Sequence, residues 1–192
     1  YSHEMDNENL IKSGREWYQI VPPSNGVTIN PAFKNLLITE KINYEIRVLA
    51  RAPVNTLFRF YEGTETRQNI QVQSVNMFDT YGTQAQISVS TGSFYPFSPS
   101  PSFIIRFYGE TGANGWLDYI RLQGRKSNNF ASNTEFYTDA RAKGAGRITQ
   151  FAINCPSGNP LIWDITDAYN PERIQYNRTG NIIIFKSRTG LI

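Results

Sequence analysis

The chain is 192 residues long and holds one cysteine, one histidine and two methionines, which leaves a His-based triad, a His-rich metal site or an internal disulfide without material. Its net charge of +3, with 18% charged residues, is far from the clustered Lys/Arg footprint of a nucleic-acid surface. No apolar run approaches the roughly 20 residues of a membrane span. The length predicts one domain over residues 1–192, able to bury roughly 70% of its unfolded surface around a single core. The chain opens on Tyr1 with no leader pattern, which reads as a domain excised from a longer protein.

Residues 1–30 read as a lead-in segment packed on that domain, with His3 in a terminus expected to fray. A helical turn is expected near residues 30–35. The first clear strand follows: Ile42, Tyr44, Ile46, Val48 and Ala50 fall on one side, Asn43, Glu45, Arg47 and Arg51 on the other, the period of a strand buried on one face. Similar runs stand at 57–61, 69–75, 84–90, 103–108, 116–122, 135–138, 147–154, 161–166 and 181–186. Turn formers separate them, among them Glu62-Gly63-Thr64, Tyr81-Gly82 and Thr179-Gly180-Asn181. A second helical turn is expected at 167–172, capped by Asp167 and limited by Pro171. The pattern predicts an all-β fold: an antiparallel, jelly-roll-like β-sandwich of about ten strands with little helix.

In residues 94–102, Pro96, Pro99 and Pro101 forbid a central strand. Two readings stand for this loop: a connection whose aromatics tuck onto the core, or an exposed platform offering Tyr95 and Phe97 to a sugar or another domain. Cys155 has neither a neighbouring base nor a helix N-terminus in the sequence and reads as an inert structural thiol. In Trp163-Asp164-Ile165-Thr166-Asp167 a strand runs into a turn, where Asx hydrogen bonding to the following backbone is expected. Calcium is the one ion those oxygens would admit, although the alternating Asp/Gly loop pattern is absent; no other metal and no cofactor is expected.

Three segments then carry a resemblance. Asn9-Leu10-Ile11-Lys12-Ser13-Gly14-Arg15-Glu16-Trp17-Tyr18 comes first, Gly115-Trp116-Leu117-Asp118-Tyr119-Ile120-Arg121-Leu122-Gln123-Gly124-Arg125-Lys126 second, and Trp163-Asp164-Ile165-Thr166-Asp167-Ala168-Tyr169-Asn170-Pro171 third. In this order and spacing they resemble the β-rich segment before the peptidase domain of PorU-type proteins, gingipain-family cysteine peptidases that act as type IX secretion sortases in Bacteroidetes. The chain departs from that pattern at Gln19-Ile20, where Gly-Glu is usual, and at Ala168, where Pro is common.

The resemblance implies a non-catalytic accessory β-sandwich, with the catalytic His and Cys in a peptidase domain outside this chain. It also implies a place at the bacterial cell surface or outer membrane. The implied partners are the peptidase domain of the same chain, and secretion-system proteins or cargo C-terminal domains. The motif residues would then serve structure. In a regular strand Asp118 shares a face with Trp116, Ile120 and Leu122, opposite Leu117, Tyr119 and Arg121, and so needs a partner, for which Arg125 or Arg15 is expected. The alternative is a carbohydrate-binding module with Trp17, Trp116, Tyr95, Phe97 and Tyr169 as platforms; an adhesin-like module is a third class.

Overall fold

The alternation at Ile42–Arg51 builds the central strand of the structure, a computed structural model that describes residues 1–10, 16–33, 35–79, 81–130, 133–139, 144 and 146–188. The chain divides into two compact units, Tyr1–Lys126 and Ser127–Ile192, where the sequence reading expects one domain. The physical ground is the core. Ile153, Cys155, Ile183 and Phe185 form a cluster of their own, separate from the apolar residues of the first unit.

The first unit holds β1 (Ser2–Glu4), β2 (Gln19–Ile20), β3 (Val27–Ile29), β4 (Ile42–Arg51), β5 (Thr56–Glu62), β6 (Glu65–Val72), β7 (Gln86–Phe94), β8 (Phe103–Tyr108) and β9 (Asn114–Gln123). One sheet runs β1–β9–β4–β7, with β2 also on β9; the other runs β3–β8–β5–β6. If β2 to β9 are lettered B to I, the sheets are B-I-D-G and C-H-E-F, the pairing of a jelly roll. β1 and β2 lie end to end along the same edge of β9, opposite residues 119–121 and 116–117. The expected fraying of His3 is therefore corrected: it pairs with Ile120, and its Nε2 meets Gln19 Oε1 at 2.8 Å.

Phe58, Phe60, Phe103 and Phe107 from one sheet meet Ile42, Ile46, Leu117, Ile120 and Leu122 from the other, all within 2% of complete burial. Each such side chain contributes roughly 1.5–3 kcal/mol by leaving water. Gly115 sits where a Cβ would stand 2.5 Å from the Phe107 ring and 2.8 Å from Phe58, so the glycine that opens the second motif makes room for this aromatic pair.

The second unit holds β10 (Ile148–Asn154), β11 (Ile162–Asp164), β12 (Glu172–Ile174), β13 (Asn177–Thr179) and β14 (Ile182–Arg188). β10–β14–β13 form one sheet and β11–β12 a hairpin. Gly180, at φ +57°, occupies the left-handed position of the turn between β13 and β14.

No helix occurs among the described residues. The turn expected at 30–35 is irregular, with Lys34 outside the described residues, because Pro31 and a left-handed Asn35 break helical geometry. Residues 167–170 make a turn, with Asn170 N–H donating to Asp167 carbonyl, and β12 follows directly. Residues 135–138 are not a strand; the Tyr137 hydroxyl donates to the carbonyl of Asn129 at 2.9 Å.

Candidate functional site

The second motif lies on β9, whose register against β4 slips by one residue. Arg47 pairs with Tyr119 and Val48 with Leu117, which leaves Asp118 as the extra residue of a β-bulge. The bulge corrects the expected alternation. Leu117, Ile120 and Leu122 enter the core, while Asp118 and Tyr119 both turn to the outer face. There Arg47 Nη1 donates to Asp118 Oδ2 at 2.5 Å, an ion pair that takes the place expected of Arg125. Arg125 lies 3.9 Å from Glu40, and Arg15 falls outside the described residues. Burial pushes the Asp118 carboxyl above its ordinary range, and the Arg47 guanidinium pulls against that without cancelling it.

On the same outer face Trp116, Tyr18 and Leu49 form a small buried cluster. The Trp116 indole N–H donates to Glu8 Oε2 at 2.7 Å, and Glu8 and Tyr18 exchange backbone hydrogen bonds. The Tyr18 hydroxyl donates to Glu16 Oε2 at 2.8 Å; burial and the Glu16 charge raise its pKa well above the tyrosine range. Glu16 and Tyr18 of the first motif thus stand beside Trp116 and Asp118 of the second, whereas Trp17 is exposed. Ser13, Gly14 and Arg15 lie outside the described residues.

The loop at 94–102 combines both of its readings. Phe94 packs in the core against Phe60 and Phe103, and Pro96 and Pro101 are buried, while Tyr95 and Phe97 are exposed. A pair that the sequence reading missed holds it: Glu62 is buried, its Oε2 accepts from Arg67 Nε and Nη2, and its Oε1 accepts the Phe97 backbone N–H at 2.8 Å. The Arg67 guanidinium lies 4.7 Å from the Phe94 ring centre and 4.0 Å from that of Phe97. Arg67 is itself a bulge residue, because Phe60 pairs with Gln68 and Tyr61 with Thr66. No spacing rule in the sequence marks either bulge.

In the second unit the third motif frames a cleft of about 1140 Å³ with Phe136, Leu161, Trp163 and Ile165 on its lining, all four exposed. Asp164 accepts the Thr166 N–H at 3.0 Å and the Ser187 hydroxyl at 2.6 Å, which ties the hairpin to β14. The Ser187 and Thr166 hydrogen bonds hold its carboxyl below the ordinary range. Asp167 accepts from Tyr169 N–H and Asn170 Nδ2, and its pKa is lowered by the same two contacts, Asn170 first. Both aspartates make Asx-type bonds to the backbone that follows. Among the described residues no cluster of three His, Cys, Asp or Glu side chains is placed to hold a metal ion.

Cys155 is buried, and its thiol faces the Ser157 carbonyl at 3.2 Å. Arg178 clamps the turn beside it by donating to the carbonyls of Cys155 and Gly158. Burial pushes the Tyr137 phenol up to about 12.

No protein-family model and no curated protein matches this sequence. Among solved structures the chain is similar to dimeric latent PorU from Porphyromonas gingivalis, with a TM-score of 0.75 at 12% identity over 99% of this chain and 19% of that one. A carbohydrate-binding module, CBM36 in complex with calcium and xylotriose, aligns at a TM-score of 0.41 and 10% identity over 64% of this chain and 88% of that one. The likeness to PorU is one of fold, over a segment that spans 19% of that chain's length.

Proposed function

We infer that this chain is a non-catalytic accessory domain of a gingipain-like cysteine peptidase of the PorU type, positioning a peptidase domain that lies elsewhere in the parent protein. The observation that carries the reading is the extent of the fold likeness, which takes in 99% of the chain and therefore both the jelly roll and the smaller unit. The residue chemistry agrees with it. The single thiol is buried against a backbone carbonyl, and the single imidazole is engaged by Gln19 in an edge strand. The motif residues Glu16, Asp118, Asp164 and Asp167 spend their carboxylates on internal contacts.

On this reading the partners are the peptidase domain of the same chain and secretion-system proteins or cargo C-terminal domains, at the bacterial cell surface or outer membrane. Among the described residues no helix is long and apolar enough to cross a membrane. Reading the parent gene beyond Ile192 tests the reading. A caspase-like α/β pattern carrying a His and a Cys is expected, and a parent without one overturns it.

A glycan-binding role draws on the exposed rings of Trp17, Tyr95, Phe97 and Tyr169. Trp116 is withdrawn from that set by its burial, and Arg67 covers one face of Phe97. A glycan array without binders removes this second reading.

A further inference from the structure

The outer face of the sheet β3–β8–β5–β6 carries side chains that neither the core nor the proposed function uses. Along β5, Leu57, Arg59 and Tyr61 alternate with buried residues; along β8, Ile104, Arg106 and Tyr108 do the same. The antiparallel register sets Arg59 directly opposite Arg106, Leu57 opposite Tyr108 and Tyr61 opposite Ile104. Two strands thus present the same apolar–Arg–Tyr order in opposite directions, with two cations in the centre and an apolar residue at each end. The contacts run on the diagonals. The Arg59 guanidinium lies 4.8 Å from the Tyr108 ring centre, Arg106 lies 5.6 Å from that of Tyr61, and the two tyrosine hydroxyls meet at 2.8 Å.

Like charges directly opposite one another on a sheet face destabilise it. Among the described residues neither Arg59 nor Arg106 has an ion-pair partner; the Arg59 guanidinium meets only the neutral hydroxyls of Tyr61 and Tyr108, and its Nε has no acceptor. A carboxylate set between the two guanidinium groups would accept from their outward Nη groups and cancel the repulsion.

We propose that this face binds an acidic polypeptide segment, one carboxylate of which sits between Arg59 and Arg106 while apolar neighbours rest on Leu57 and Ile104. Charge complementarity selects the carboxylate. The apolar ends select a polypeptide over an acidic polysaccharide, since a uronate chain has no apolar side chain to place there. The two rings on which a sugar would stack each already have a guanidinium over them. A second copy of the same face is excluded, because four guanidinium groups would meet. The site stands apart from the peptidase reading, and failure of either leaves the other intact.

The test uses the whole chain and a fluorescein-labelled peptide of alternating leucine and glutamate, with its glutamine analogue and polygalacturonate as further arms. The glutamate peptide is expected to bind with an affinity that falls as salt rises, and the glutamine analogue is not. Arg106→Gln is expected to weaken binding by about tenfold or more with its melting temperature unchanged or raised, since it removes one of two opposed cations. Arg59→Gln is expected to show the same loss. Equal binding of the glutamine analogue, binding of polygalacturonate in place of the peptide, or no binding at all overturns the proposal. So does undiminished binding by either variant, or a loss in R106Q that only accompanies a lower melting temperature.

Discussion

Asp118 and Arg47 meet at 2.5 Å because β9 carries one residue more than β4 at that level, and the bulge turns a carboxylate that strict alternation would aim at the core toward an arginine on the outer face. The same device recurs in the other sheet, where the bulge residue Arg67 is turned onto Glu62. These two ion pairs are the most buried among the described residues; the first joins the neighbouring strands β4 and β9, and the second fastens the loop at 94–102, whose Phe97 N–H donates to Glu62. Asp118 lies level with the break between β1 and β2, and Glu62 lies under the loop at 94–102.

Replacing Arg47 by Leu is expected to cost about 3 kcal/mol at pH 7, because it leaves a buried carboxylate without its cation. The sign of the pH dependence follows from the raised pKa of Asp118. A carboxyl whose folded pKa lies above its unfolded one loses its burial penalty as pH falls through that value. Urea unfolding of the Arg47→Leu chain at pH 7 and pH 4 should therefore show the deficit shrinking at the lower pH. A deficit that is constant or grows contradicts the assignment.

Replacing Glu62 by Ala is expected to cost about 3 kcal/mol and to loosen the loop at 94–102, since the Phe97 N–H loses its acceptor and Arg67 loses its counter-charge, keeping only the Tyr95 carbonyl. Limited proteolysis should then cut within 94–102 in the variant and not in the parent chain. Tyr95→Ala, which touches an exposed ring, should leave stability within about 0.5 kcal/mol.

The alternation of apolar residues made the jelly roll legible where a strand is regular and buried on one face. β4 has the bounds its pattern predicts, and β8 coincides with residues 103–108. β6 lies at Glu65–Val72 against an expected 69–75, because its bulge at Arg67 breaks the period that would have located it. β1, β2, β3, β12 and β13 are two or three residues long, too short to show a period at all. For Asp118 the sequence points to Arg125 or Arg15 and gives no sign of Arg47, 71 positions away, because cross-strand neighbours follow register and not sequence distance. The division at Lys126 was not legible either, since Gly124-Arg125-Lys126, which ends at it, is too short to mark a linker. The Asx turns at Asp164 and Asp167 were legible, because that chemistry is local.

Gly115→Ala is expected to destabilise the chain by about 1–3 kcal/mol, as the added methyl must displace the paired rings of Phe107 and Phe58. A calorimetric melt of the variant checks this. Gly63→Ala, at an open position with φ +57°, is the comparison that isolates backbone strain from overpacking.

Asp164 supplies a pH test in the second unit. Its carboxyl is held below the ordinary range by Ser187 and Thr166, so its stabilisation is fully present above the unfolded value near 3.9 and fades as pH falls through the lowered folded one. The stability difference between the chain and its Asp164→Asn variant should stay level from about pH 6 to 5 and close below about pH 4. A difference that persists at pH 2 would show that the hydrogen bonds, and not the charge, carry it.

The proposal that this chain serves a cysteine peptidase without being one is tested most directly on the parent protein. An antibody against this chain would capture the parent from its native source, an epoxide probe that alkylates active cysteine peptidases would label it, and mass spectrometry would locate the label. The account predicts a labelled polypeptide much larger than the 21.9 kDa of this chain, with the label on a cysteine outside it. A parent that takes no label, or a label on Cys155, would contradict it.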